Sequence, residues 1–150
     1  MAIMRNWIVV AVVVSSLGVV LAEKEPTAPA PATAAEAKAP TSDQLLGAWM
    51  LAGQPGAVEE PKAGARMKFF GQRHWVITHS DATTGAVTFH HGGTYTLDGG
   101  KYVEKIMFAN DSTANLVGKE FRFNLQIEGD TLTQLGEGNP WNEVWKRAGK

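Results

Sequence analysis

From about residue 43 onward the chain alternates apolar and polar side chains with a period of two. In KEFRFNLQIE, Phe121, Phe123, Leu125 and Ile127 alternate with Glu120, Arg122, Asn124, Gln126 and Glu128, the pattern of a strand packed on one face and wetted on the other. KYVEKIMFA repeats it, with Tyr102, Ile106 and Phe108 on one face. LLGAWMLA, ARMKFF, RHWVITHS, AVTFHHGGTYTL, TLTQL and WNEVWKR supply further strands. The total of about eight suits a small closed sheet. Helical periodicity is limited to a single turn at Ser42 to Leu45, where Ser42 or Asp43 is placed to cap it.

The connectors are short. Gly71-Gln72, Gly99-Gly100 and Gly129-Asp130 offer positive-φ residues for tight hairpins, and Asp81 to Gly85 makes a longer turn. Consecutive strands should therefore pair in order, giving an all-β, antiparallel, up-and-down barrel of eight strands that leaves no open edge. With Gly99 and Gly100 as the loop, Asp98 pairs with Lys101, Leu97 with Tyr102 and Tyr95 with Glu104. Setting Ser80 opposite Ala86 likewise places Trp75 opposite His91 and His79 opposite Val87, unless Gly92-Gly93 forms a bulge.

Upstream of the barrel the pattern disappears. Residues 23–42, EKEPTAPAPATAAEAKAPTS, hold no large apolar side chain, so they cannot bury enough surface to offset their ordering entropy and are expected to be a disordered Pro/Ala-rich linker. Residues 1–22 read as a signal peptide, with Arg5 as the positive end, an apolar run from Trp7 to Leu21, and small residues ending at Ala22 where a cut is expected. A periplasmic or extracellular address follows. The alternative is a leader that stays uncut and anchors the protein, the only membrane association expected. The folded domain is expected at 43–148.

Composition narrows the chemistry. The chain of 150 residues has no cysteine, so no disulfide partner, thiol nucleophile or cysteine-borne lipid is available. Its formal charge is -1, with no basic tract, which argues against nucleic acid as a partner.

Gly47-Ala48-Trp49 on the first strand, together with Trp145-Lys146-Arg147 on the last, resembles the two ends of the lipocalin and calycin superfamily pattern. The resemblance extends from LLGAWML through GGTYTLDGGKYVEKI to NEVWKR, nearly all of residues 43 to 148, and is closest to small secreted bacterial lipocalin-like domains. It implies that the Trp49 indole closes one end of the barrel with Arg147 lying across it. The physical basis is local: Gly47 permits a sharp bend into the barrel, and a guanidinium on an indole face contributes about 0.5 to 2 kcal/mol. The chain lacks the threonine-aspartate-tyrosine motif and the disulfide of many secreted lipocalins.

The inferred registers turn Trp75, His91, Tyr95, Tyr102 and Glu104 into one interior. A buried carboxylate needs a hydrogen-bonding partner or a proton, so Glu104 is expected either to anchor the polar end of a mainly apolar ligand or to belong to an internal network. On the last strand Glu143, Trp145 and Arg147 share a face, with Arg147 expected between Glu143 and the Trp49 indole. No metal site is expected: His90 and His91 point to opposite faces, as do His74 and His79, leaving at most His79 with His91. No cofactor is expected either, haem on His91 resting on fold analogy alone.

The expected function is thus an exported lipocalin-like barrel that binds a small, largely apolar molecule. A non-enzymatic interaction or structural module with a side-chain-filled barrel is the alternative. Nothing favours an enzyme, and an isomerase-like proton transfer between the interior acid and histidine is the weakest reading.

Overall fold

The computed structural model describes residues 39 to 149. The leader and most of the linker lie outside the described residues. The linker's last residues belong to the ordered body: Pro40 is buried, and the Thr41 N–H donates to Gln44 Oε1 at 2.8 Å across the first turn of a short helix, Ser42–Leu45. Thr41, rather than Ser42 or Asp43, is therefore the N-cap residue.

Nine strands follow in chain order: β1 (Gly47–Gln54), β2 (Ala57–Val58), β3 (Met67–Phe70), β4 (His74–Ser80), β5 (Val87–Asp98), β6 (Lys101–Ala109), β7 (Glu120–Glu128), β8 (Thr131–Glu137) and β9 (Glu143–Arg147). Apart from β2, a two-residue hairpin on the far end of β1, each strand pairs antiparallel with the next, and β1 pairs with β9. The result is the closed eight-stranded up-and-down barrel that the alternation predicts. Closure gives every barrel strand two neighbours, which removes the exposed edges of an open sheet.

The hairpins at Gly99-Gly100 and Gly129-Asp130 have the expected registers, with φ of 54° and 85° at the first pair and 57° at Gly129. Gly71 does not adopt a positive φ; its turn closes with the Gly71 N–H donating to the His74 carbonyl.

Two bulges correct the expected register. Ser80 pairs with Val87 while His79 pairs with Phe89, so Thr88 is an extra residue and Trp75 faces Gly93 instead of His91. The slip is two residues, which leaves every side chain on its expected face because the pleat also repeats in twos. On β6 the extra residue is Met107: Ile106 pairs with Gly93 and Phe108 with Gly92. One inserted residue reverses parity, so Phe108 turns outward and is exposed, contrary to its expected inward place.

The chain from β6 to β7 contains a 3-10 helix, Asp111–Leu116, which the sequence pattern did not reveal. It sits at the end of the barrel opposite Trp49 and is tied down by the Thr113 hydroxyl donating to the His90 carbonyl at 2.9 Å.

Candidate functional site

The barrel has a closed end, an aromatic middle and a hollow toward its other end. At the closed end Trp49 is fully buried, and its Nε1 donates to the Leu45 carbonyl at 2.8 Å. The Arg147 guanidinium lies 4.2 Å from the indole centroid and donates to the carbonyls of Leu46 (2.9 Å) and Gln44 (2.7 Å). Trp49 and Arg147 are direct cross-strand partners of β1 and β9, so the plug and the closure of the sheet are one feature. Gly47 adopts φ +114°, and a Cβ there would stand 3.4 Å from Arg147 Nη1; the bend and the close approach both favour glycine. Arg147 pairs with Asp130 at 3.3 Å, and Glu143 sits higher in the barrel, so the expected bracket by Glu143 does not form.

Above the plug, Phe70, Tyr95, Tyr102 and Phe123 pack edge-on or tilted with centroids 5.5 to 6.1 Å apart. The Tyr95 hydroxyl donates to the Gly71 carbonyl at 2.8 Å, so it is satisfied within this floor and does not line the cavity above.

On this floor stands Lys68, 1% exposed. Its Nζ donates to Glu104 Oε2 at 2.9 Å and to Gln134 Oε1 at 2.9 Å, and the Tyr102 hydroxyl donates to the same Glu104 oxygen at 3.1 Å. Burial and the adjacent Glu104 carboxylate push the Tyr102 phenol well above its ordinary pKa, which keeps it a donor. The ammonium also lies 4.8 Å from the Trp75 ring centroid and 5.4 to 5.9 Å from those of Phe70, Tyr102, Phe123 and Trp145. A buried charge demands such compensation, here from one carboxylate, one amide and the negative faces of aromatic rings.

The network continues upward. Gln134 Nε2 reaches Glu143 Oε2 at 3.4 Å, and Glu143 Oε1 lies 3.7 Å from Arg66 Nη1, which places Glu143 near the mouth. Burial raises the Glu143 pKa against the lowering effect of Lys68 and Arg66. Arg66 stacks on Phe89 at 4.5 Å.

Over this ionic layer lies a cavity of about 190 Å³. Glu104, Lys68 and Gln134 form its base, Ile77, Phe89, Phe123 and His91 its walls, and Arg66, Leu116, Phe121, Trp141 and Glu143 its upper part. Phe121 and Trp141 meet edge to face at 4.5 Å. His91 packs against Trp75 (5.4 Å) and Phe89 (4.7 Å). Its pKa is lowered to about 4, first by burial and then by Lys68, Arg66 and His90, so the imidazole is neutral near pH 7.

Of the five interior residues that the sequence singled out, His91 and Glu104 line the cavity, Trp75 and Tyr102 support its base, and Tyr95 lies below. Lys68, Arg66 and Gln134 were not singled out. A signal for two of them existed: Arg66, Lys68 and Phe70 share one face of ARMKFF, and an inward Glu104 requires a cation on an inward position. Among the described residues no cluster of three or more histidine, aspartate or glutamate side chains could hold a metal ion.

No protein-family model matches the chain, and no curated protein matches it. Solved structures do, among them a lipocalin-like protein from Bacteroides uniformis and an uncharacterized protein from Bacteroides eggerthii, each at 15% identity and a TM-score of 0.51 over 69% of this chain and 98% of the other. Closed topology, an indole-guanidinium plug joining the first and last strands, and these neighbours together show that the chain has a lipocalin-like fold.

Proposed function

We propose that the protein is an exported lipocalin-like barrel that binds one small, largely apolar molecule in its upper cavity. The cavity carries this reading: a hollow with largely apolar walls over a few convergent polar groups is the usual form of a ligand site. Its size sets the ligand's size. An apolar cavity of roughly 150 Å³ accepts benzene, whereas drug-sized pockets begin near about 300 Å³. A volume of about 190 Å³ therefore suits a single substituted ring or a short branched chain. At the base of the site, Glu104 Oε2 is held by Lys68 and Tyr102.

The test is native mass spectrometry of protein purified from its own envelope, with solution binding of toluene and indole. A bound small molecule, or saturable one-to-one binding that Leu116→Trp abolishes by filling the cavity, is the expected result. Absence of both overturns the reading. Export is tested on the same sample by its N-terminal sequence, expected to begin at Glu23; an intact Met1 terminus in the membrane fraction supports the uncut anchor instead.

One observation favours a second reading, a barrel filled by its own side chains that serves as an interaction or structural module. Trp49, Trp75, Trp145, Tyr102 and Phe123 are each at most 1% exposed, so much of the interior is occupied by the protein's own aromatic side chains.

A further inference from the structure

The three polar side chains at the base of the cavity differ in what they present to it. Lys68 and Gln134 are each 1% exposed, whereas Glu104, at 5%, keeps some surface. Glu104 Oε2 accepts from Lys68 Nζ at 2.9 Å and from the Tyr102 hydroxyl at 3.1 Å. Its other oxygen, Oε1, accepts from no group among the described residues, and it is not sealed off as the buried atoms without partners are. Glu104 is an inward residue of β6 that lines the hollow, so this oxygen opens into it. A carboxylate oxygen is an acceptor only, and an acceptor this deep in a barrel calls for a donor.

The charges around the hollow decide what kind of donor fits. Lys68 stands 2.9 Å from Glu104, and Arg66 3.7 Å from Glu143, so the two lining cations and two lining carboxylates balance without a ligand charge. His91, on the wall, is held neutral near pH 7 first by burial and then by Lys68, Arg66 and His90. The same burial and the same cations oppose an ammonium group in the hollow. An anion, in turn, would meet the Glu104 carboxylate at the base. Arg66 brings donors only to the upper part, where a side chain 32% exposed is within reach of water. The neutral His91 imidazole has one donor and one acceptor nitrogen and imposes neither polarity. The open acceptor at the base therefore sets the ligand's chemistry.

We propose that the ligand is a neutral, ring-sized hydrogen-bond donor, a phenol or an aromatic N–H compound, whose donor group meets Glu104 Oε1 and whose ring lies against Ile77, Leu116 and Phe121. This deepens the proposed function and rests on it. A hydrogen bond to a charged acceptor is stronger than one between neutral groups. Recognition at this one atom therefore separates such a ligand from an unsubstituted ring of equal size. The volume of about 190 Å³ admits one ring.

Phenol, toluene, benzylamine and benzoate are probes of similar size, and their binding to the purified protein is measured by NMR titration at pH 7. Phenol is expected to bind about tenfold tighter than toluene, and both charged probes more weakly than phenol. With the glutamate carboxyl carbons isotopically labelled, phenol is expected to move the Glu104 signal well beyond the ring-current effect of toluene. In Glu104→Gln the amide oxygen is expected to take the bonds from Lys68 and Tyr102, both donors, which turns the amide N–H toward the hollow. That variant should lose the phenol preference and bind benzaldehyde, an acceptor, more tightly than phenol. Should it fail to fold, the labelled Glu104 signal of the unaltered protein decides. Phenol binding no tighter than toluene, tightest binding by benzylamine or benzoate, a Glu104 signal unmoved by bound phenol, or a phenol preference that survives in Glu104→Gln overturns the donor assignment and leaves the cavity a binding site. Failure of all four probes, toluene included, overturns both.

Discussion

Lys68 shows how much one side chain can depend on another far away in sequence. Its ammonium is held by Glu104 and Gln134, 36 and 66 positions distant. Removing one partner of a buried pair leaves an uncompensated charge, so Lys68→Met is expected to cost about 3 to 5 kcal/mol in urea denaturation. The double variant Lys68→Met, Glu104→Gln should recover most of that loss; a double variant as unstable as the single one would show that packing, not charge, dominates. Arg147→Ala removes a stacked cation and two carbonyl hydrogen bonds at a partly wetted end, and is expected to cost about 1 to 2 kcal/mol by the same measurement. A neutral result would sink the closed-end account. At this scale Trp49 and Arg147 were legible because the family pattern they resemble marks them on the first and last strands. Arg147's true partner, Asp130, was not, since it comes from the β7–β8 turn and no strand alternation points to it.

Strand pairing was legible wherever glycine set a two-residue turn. From Gly99 and Gly100 the β5–β6 register followed correctly through Tyr95 and Glu104. It fails beyond Gly93, where Met107 is inserted and Phe108 rotates to the outside. The alternation of KYVEKIMFA looks unbroken there, because a bulge leaves no mark on apolar and polar order when both flanking residues are apolar. The bulge instead depends on backbone approach: a Cβ on Gly93 would overlap the Lys105 carbonyl oxygen, and one on Gly92 would lie 2.5 Å from the Trp75 carbonyl oxygen. Gly93→Ala is therefore expected to destabilise by about 3 kcal/mol or more, near the upper range for point substitutions. Gly85→Ala is the control: Gly85 has φ +71° but open space around its Cβ position, so only the left-handed penalty of about 1 to 2 kcal/mol is expected. Thermal unfolding of the two variants distinguishes steric overlap from backbone strain, and equal losses would contradict the close-packed bulge.

The whole molecule has a pH dependence that follows from what the barrel encloses. His91 titrates at about 4 when folded against an ordinary 6.5, so between these values the unfolded chain binds more protons there and stability falls as pH falls. Glu143, with a raised pKa, acts in the opposite direction: the folded state holds its proton more tightly, so acid relieves part of the cost of burying it. Urea denaturation between pH 7 and 4 should show a net loss in the native protein and a flatter profile in His91→Phe. An unchanged slope would remove His91 from the account. By itself the sequence determined the period of two, the Gly99-Gly100 and Gly129-Asp130 turns and the inward faces other than that of Phe108, because each is local to a strand or a hairpin, while the resemblance of its first- and last-strand motifs marked the two residues that plug one end. Only the tertiary structure decided which inward charges meet, where the bulges fall and how much volume stays unfilled. Those depend on closing β1 against β9, which brings β3, β6 and β8 around one axis and makes the hollow the difference between the barrel's size and the sum of its side chains.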